Sequence, residues 1–123
     1  MAAYLVVETL SNEQLKLWQS VIIDAVSPVM EARDMCRGLS NKHHSRLVVI
    51  ECVLESELHK KRIESRIRNM NGIPEVTWDD VENRRKEYLE WKEKILVLNT
   101  SDNWVNNVNT VLEYIKALEK EQI

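Results

Sequence analysis

The sequence predicts an α/β protein in which helices cover both faces of a parallel sheet. Residues 47–53 (LVVIECV) are apolar except for Glu51 and rich in β-branched side chains, which is typical of a strand buried on both faces. Residues 104–118 carry an apolar side chain at every third or fourth position, which is typical of a helix packed on a sheet. Because helix-like and strand-like stretches alternate along the chain, parallel crossovers are favoured.

The first half of the chain predicts a helix, a strand and a second helix in turn. Apolar positions in residues 2–20 recur at helical spacing without a proline or glycine. The apolar triplet at 21–23 predicts a short strand that ends in Asp24. Ser27 and Pro28 suit the cap and the first position of the second helix. The apolar stripe of that helix consists of Val29, Ala32, Cys36 and Leu39.

The second half predicts a strand, two charged helices, a further strand and a final helix. After the strand at 47–53, Gly72 and Pro74 mark the loop between the charged helices. Thr77 is expected to begin the second of these helices, because its hydroxyl can bind free backbone amides. Residues 95–98 predict another strand. The apolar face of the final helix consists of Trp104, Val108, Val111, Ile115 and Leu118.

The first charged helix is strongly basic. From His59 to Arg68 the chain has five lysine or arginine residues and one acidic residue, Glu64. His59, Arg62 and Arg66 fall at i, i+3 and i+7, so a continuous helix would place them on one face. Clustered guanidinium groups recognise phosphate, because their planar donors match its oxygens and keep their charge. The alternative interpretation is a solvated charged face, in which Glu64 pairs with Arg68.

Composition limits the class of protein. The 123 residues suffice for one domain, and 44% hydrophobic with 30% charged residues is usual for a soluble protein. A net charge of −3 argues against nucleic-acid binding driven by overall charge. Cys36 and Cys52 form no metal or redox motif and suit a reducing compartment. Since the start resembles neither a signal peptide nor a membrane span, we expect a cytoplasmic protein without a membrane partner.

Four stretches resemble a known family. The runs VIIDAVSPVMEARD, RLVVIECVLESELHKKRIESRIR, PEVTWDDVENRRKEY and ILVLNTSDNWVNNVNTVLEYI are similar, in this order, to the later two-thirds of a small P-loop kinase. The relatives are AAA-type ATP-binding proteins related to zeta-toxin-like and nucleotide-kinase-like phosphotransferases. The resemblance implies a three-layer, P-loop NTPase-like domain over 1–123 with a lid-like helical region at 55–91. It also implies ATP and Mg²⁺ as cofactors, and a nucleotide or small phosphorylated molecule as partner.

The resemblance also assigns roles to individual residues. By matching position, Asp24 would face the substrate or magnesium, and Arg33 would bind the substrate. Arg62 and Arg66 would contact the transferring phosphoryl group, where stabilising charge is most of what the protein contributes. The position of His59 beside Arg62 adds a further option for binding phosphate.

One motif of the family is not found in these residues. The loop GxxxxGK[ST] holds the phosphates of ATP with its backbone amides and its lysine. The chain has two glycines, Gly38 and Gly72, and neither precedes a Lys-Ser or Lys-Thr pair. We expect the loop and the central first strand to lie before Met1, which would make the domain N-terminally incomplete. The strands at 21–24 and 47–53 would then pair directly, join a second copy in a homodimer, or keep open edges.

Two functions follow as hypotheses. The chain is a remnant or truncated form of an ATP-dependent small-molecule or nucleotide kinase, inactive alone because positioning of the phosphates is lost. The alternative is a non-catalytic module that binds anions or forms oligomers. A fragment without independent function is a third interpretation.

Overall fold

Five helices and two strands follow one another in the part of the chain that the structure describes. The structure is a computed structural model that describes residues 2–26 and 30–121. The elements are α1 (Ala2–Lys16), α2 (Met30–His43), β1 (Ile50–Val53), α3 (Ser56–Ser65), α4 (Trp78–Glu87), β2 (Leu96–Asn99) and α5 (Trp104–Lys120). They belong to two compact units. Unit 1 comprises Met1–Leu47 and Arg84–Glu90, and unit 2 comprises Val48–Asn83 and Trp91–Ile123.

The predicted three-layer parallel sheet with helices on both faces is wrong. Within the described ranges the chain forms a single sheet of two strands, in which β1 pairs with β2 in parallel. The parallel direction agrees with the prediction, but the number of strands does not. Residues 19–26 have no regular secondary structure, so the predicted strand at 21–23 and its pairing with 47–53 are absent. An apolar triplet becomes a strand only where another strand supplies a hydrogen-bonding partner.

The ladder between β1 and β2 determines which edge of each strand is open. The N–H of Leu96 donates to the carbonyl of Val49 at 3.0 Å, and the N–H of Thr100 donates to the carbonyl of Val53 at 2.9 Å. Since a parallel ladder uses every second residue of a strand, positions 49, 51 and 53 face β2. Ile50 and Cys52 therefore direct their backbone groups towards the opposite edge.

The core of unit 2 lies between β2 and α5. Asn103 caps α5 by accepting the N–H of Val105 at 2.8 Å. Leu98 of β2 and Leu118 of α5 are buried. The remaining buried apolar side chains of the described residues, Ala32 and Leu39, lie on α2 in unit 1. Each unit thus has a small core.

Unit 1 is built on the packing of α1 against α2. The Oδ1 atom of Asn12 on α1 accepts a hydrogen bond from the Nζ of Lys42 on α2 at 2.8 Å. The Nε2 atom of His43, also on α2, lies 2.9 Å from the same oxygen. The predicted apolar stripe of α2 is confirmed at Ala32 and Leu39. The roles predicted for Ser27, Pro28 and Val29 lie outside the described residues. None of the helices that the structure describes is long and apolar enough to cross a membrane.

The predicted start of α4 is confirmed. The hydroxyl of Thr77 accepts the N–H of Asp80 at 3.2 Å, while the Asp80 carboxylate accepts the N–H of Thr77 at 2.9 Å. These reciprocal bonds satisfy two of the amides that a helix start leaves free. The local sequence is therefore sufficient to determine where α4 begins.

Helix α1 ends on a residue in a left-handed conformation. The N–H of Gln19 donates to the carbonyl of Gln14 at 3.2 Å, and Trp18 between them has φ of 59°. This arrangement of bonds is the Schellman motif, which usually has glycine at the left-handed position. A side chain with a Cβ atom is strained there. Because Trp18 is 94% exposed, its indole compensates little by packing.

Replacing Trp18 with glycine is expected to stabilise unit 1. Glycine relieves the strain of the left-handed conformation, which stabilises the folded chain. Its greater freedom in the unfolded chain offsets part of this gain. The net result should be an increase of about 0.5–1 kcal/mol in the free energy of unfolding. Urea denaturation followed by circular dichroism measures the change. Trp18→Ala is the matched control, since it removes the indole but keeps the Cβ atom. An equal gain in both variants would show that the indole, and not the backbone, is responsible.

Candidate functional site

Helix α3, the predicted phosphate-binding helix, begins at an acidic cap. The Glu55 carboxylate accepts the N–H of Glu57 at 2.9 Å and the N–H of Leu58 at 3.0 Å. These two bonds stabilise the charged carboxylate and lower its pKa below the usual 4.5. The helix ends at Ser65, and Arg66 has the extended backbone of a residue outside the helix. The basic residues of this segment are therefore not all on one continuous helix.

The cap on α3 is expected to depend on pH. Since the pKa of Glu55 is lower in the folded chain than in the unfolded one, its contribution is complete above pH 4.5 and is lost as pH falls through the folded pKa. We therefore expect the amides of Glu57 and Leu58 to be less protected from hydrogen exchange at pH 3 than at pH 6. Protection here is the measured exchange rate compared with the intrinsic rate at the same pH. In Glu55→Gln the neutral amide oxygen still accepts, so this dependence should disappear. Its persistence in that variant would assign the effect to another carboxylate.

The three residues predicted to share a phosphate-binding face have different neighbours. The ring of His59 lies edge-on to Trp78, with 5.3 Å between centroids. The Nη1 atom of Arg62 lies 3.5 Å from the carbonyl of Thr100. Arg66 lines a shallow groove of about 530 Å³ beside Ile63 and Trp78. The predicted common face of His59, Arg62 and Arg66 is therefore not formed.

Charges of both signs surround the groove at Arg66. Lys60 also lines this groove, but so do the carboxylates of Glu64, Glu75 and Asp79. One oxygen of Glu75 accepts the backbone N–H of Arg68 at 2.8 Å and that of Asn69 at 3.1 Å. These carboxylates oppose the binding of an anion, so the groove is poorly suited to phosphate.

Arg62 lies at the carboxyl end of β2. In open parallel sheets, ligands bind beyond the carboxyl ends of the strands. Thr100, the first residue after β2, is held there because its N–H and its hydroxyl both donate to the carbonyl of Val53, at 2.9 and 3.1 Å. Arg62 therefore lies beside the residue that follows β2, and its predicted role in contacting a phosphoryl group stays a prediction.

Arg33 is used within unit 1. It is fully buried, and its guanidinium donates to the carbonyl of Leu89 at 2.5 Å and to that of Glu90 at 3.0 Å. The same group lies 4.9 Å from the centre of the Tyr88 ring. Asp24, also in unit 1, is exposed in the segment without regular structure. Their roles in catalysis and substrate binding stay predictions, but the contacts of Arg33 are those of a residue that holds α2 to its neighbouring segment.

An apolar groove of about 350 Å³ lies between the sheet and α5 in unit 2. Cys52 and Leu98, which are opposite each other in the ladder, form its floor. The side chains of α5 that line it are exposed to a large extent: Trp104 by 74% and Leu112 by 49%. The rest of the groove is lined by Thr100, Asp102, Asn107, Val108 and Val111. Only one of these residues, Asp102, is charged.

The opposite face of the sheet carries two exposed apolar side chains beside Glu51. Glu51, Val53 and Val97 point away from the groove because side chains alternate along a strand. Val97 is 53% exposed and Val53 is 38% exposed. Parallel strands are normally buried on both faces, so this sheet leaves more apolar surface in water than its class usually does.

The sequence indicated the apolar face of α5 but not its exposure. A helix of 17 residues is about 26 Å long, whereas a strand of four residues is only about 13 Å long. The strands are therefore too short to cover a face that continues from Trp104 to Leu118. The length of this apolar face, compared with the four apolar residues at 95–98, was the signal that could have identified the groove.

The described residues include no group of three or more His, Cys, Asp or Glu side chains that could hold a metal ion. No family model, curated protein or solved structure matches the chain. The similarity to P-loop kinases and the predicted use of ATP and Mg²⁺ therefore stay predictions.

Proposed function

We propose that this chain is a non-catalytic oligomerisation module, in which the sheet and the apolar groove of unit 2 bind another polypeptide. The observation that carries the proposal is the two-stranded parallel sheet with open edges and exposed apolar side chains on both faces. Such a pair of strands is marginally stable alone and becomes stable when further strands or apolar surfaces cover it. Association would supply that cover.

The exposure of individual side chains in unit 2 supports the proposal. Val97 on one face of the sheet is 53% exposed, and Trp104 and Leu112 of the groove are 74% and 49% exposed. Removing apolar surface from water contributes about 25 cal/mol for each Å². Association that covers these side chains is therefore favourable.

Analytical ultracentrifugation over a range of protein concentrations tests the proposal. We expect the mean mass to rise from that of one chain to that of two or more, with micromolar or tighter dissociation constants. A monomer at every concentration up to several hundred micromolar would overturn the proposal.

A second function, phosphate binding by a kinase-derived domain, is favoured by the position of Arg62. Its guanidinium is at the carboxyl end of β2, where a phosphorylated ligand would lie in a parallel sheet. Arg62 is exposed, and its bond to the carbonyl of Thr100 is long enough to be exchanged for a phosphate oxygen. Without the GxxxxGK[ST] loop in these residues, binding rather than phosphoryl transfer is the activity proposed.

Isothermal titration with ATP and Mg²⁺, and separately with inorganic phosphate, tests this second function. Binding that Arg62→Gln abolishes and Arg85→Gln leaves unchanged would support it. Arg85 is a suitable control because it is an exposed arginine near the end of another helix, α4. The absence of heat at millimolar nucleotide would exclude it.

A further inference from the structure

The two open edges of the sheet are not equally available. On β2, the carbonyl of Asn99 already accepts the side-chain amide of Asn107 at 3.0 Å and the N–H of Asp102 at 3.2 Å. Of the backbone groups that β2 directs outwards, the N–H and carbonyl of Val97 and the N–H of Asn99 remain available to a further strand. On β1, both Ile50 and Cys52 direct an N–H and a carbonyl outwards, because the bonds from Leu96 and Thr100 go to Val49 and Val53 instead. The edge of β1 is thus the more open of the two.

We infer that the partner of this edge is β1 of a second copy of the chain, paired in antiparallel orientation around a two-fold axis at Cys52. This inference rests on the proposed function and specifies its partner. Two-fold pairing presents the same surface from both copies, so one open edge satisfies the other. The result is a sheet of four strands, in the order β2, β1, β1 and β2, which exceeds the minimum for a stable sheet.

The charge on Glu51 limits the register. A two-fold axis at Glu51 would set the two carboxylates directly opposite each other, which destabilises a strand pair. An axis at Cys52 instead places Glu51 opposite Val53 of the second copy and Ile50 opposite Leu54. An axis at Ile50 would also separate the carboxylates, but it would pair β1 mainly with residues 47–49, which precede the strand. Pairing along β1 itself therefore favours Cys52.

The side chain of Cys52 makes the register measurable. Cys52 is exposed and lines the apolar groove, so the two thiols meet on the face of the joined sheet that carries α5. Residues opposite each other in an antiparallel pair have Cα atoms about 5.5 Å apart. The two grooves also adjoin at this axis, which makes one longer apolar channel between the two α5 helices.

Crosslinking with dibromobimane tests the register. Each thiolate displaces one bromide from this reagent, and the product is fluorescent when both bromides have been displaced. We expect a fluorescent dimer from the native chain and from Cys36→Ser, but not from Cys52→Ser. Cys36 is the control thiol: it is half-buried, and burial raises its pKa, so it reacts slowly.

A pair of proline variants tests the edge. Cys52→Pro removes an outward N–H of β1, and Val97→Pro removes one from β2, so neither variant breaks the ladder between the strands. Cys52→Pro should weaken the dimer by on the order of thirtyfold, since the two bonds exchanged at the axis are lost. Val97→Pro should leave the dissociation constant unchanged. Circular dichroism checks the folding of both variants, and the crosslinking experiment does not depend on either.

The outcomes separate the two proposals. A dimer that crosslinks through Cys52 and weakens in Cys52→Pro alone supports the inference. A dimer without that crosslink, or one that Val97→Pro weakens instead, overturns the pairing at β1 and leaves the proposed oligomerisation intact. A monomer at every concentration overturns both.

Discussion

Replacing Arg33 with methionine is expected to destabilise unit 1 by about 3 kcal/mol, because hydrogen bonds from a charged donor contribute about 1.5–3 kcal/mol each. The guanidinium supplies two such bonds, to the carbonyls of Leu89 and Glu90, and a cation–π contact with Tyr88. Methionine fills a similar volume, but it can supply neither the hydrogen bonds nor the cation–π contact. Lysine should not restore stability, because one ammonium cannot reproduce the planar donor fork of arginine.

Urea denaturation measures this effect, and hydrogen exchange of the α2 amides assigns it to unit 1. Arg37→Met is the matched control on the same helix. Arg37 pairs with the exposed carboxylate of Asp34 at 2.6 Å, and exposed pairs contribute less than about 1 kcal/mol. If both variants lose the same free energy, the buried position of Arg33 has no special role.

Shortening Leu98 to alanine is expected to cost about 3 kcal/mol in unit 2, within the range of about 2–5 kcal/mol for buried leucines. Leu98 is the buried side chain of β2 and lies at the floor of the apolar groove. Its loss leaves a cavity that the short ladder of β1 and β2 cannot close without giving up hydrogen bonds. The same substitution should also weaken association, since it disturbs the sheet that would join the second copy.

Leu112→Ala is the matched control for Leu98. Leu112 lines the same groove but is 49% exposed, so its removal from the monomer should cost no more than about 1 kcal/mol. Chemical denaturation at a concentration below the dissociation constant of the dimer separates this effect from association. Equal losses at the two positions would show that the groove is closed in solution.

The sequence was sufficient where local patterns determine the structure. The start of α4 at Thr77, the apolar stripe of α2 and the approximate positions of β1, β2 and α5 follow from caps and periodicity. It was insufficient where a distant partner decides the outcome. Residues 21–23 have the composition of a strand, but no described strand pairs with them, and composition does not reveal the presence of a partner.

The candidate site shows the same division. Arg62 was predicted to contact a phosphoryl group, which stays a prediction, and the sequence did not indicate its contact with Thr100 after β2. For Arg33, residue type could not distinguish a phosphate ligand from the chain's own carbonyls, since both accept the same donors. Those carbonyls lie 56 and 57 residues away along the chain. A separation of that size leaves no periodic signal in the sequence.

The long separation between Arg33 and its acceptors has a consequence for synthesis on the ribosome. Helices α1 and α2 emerge well before residues 84–90, and translation of the 43 residues from 48 to 90 takes roughly 2–9 s. Throughout this interval the nascent chain carries an arginine without its final acceptors, on a helix pair whose tertiary structure is incomplete. During these seconds unit 1 cannot reach its final stability, because the two hydrogen bonds from Arg33 to Leu89 and Glu90 cannot yet form.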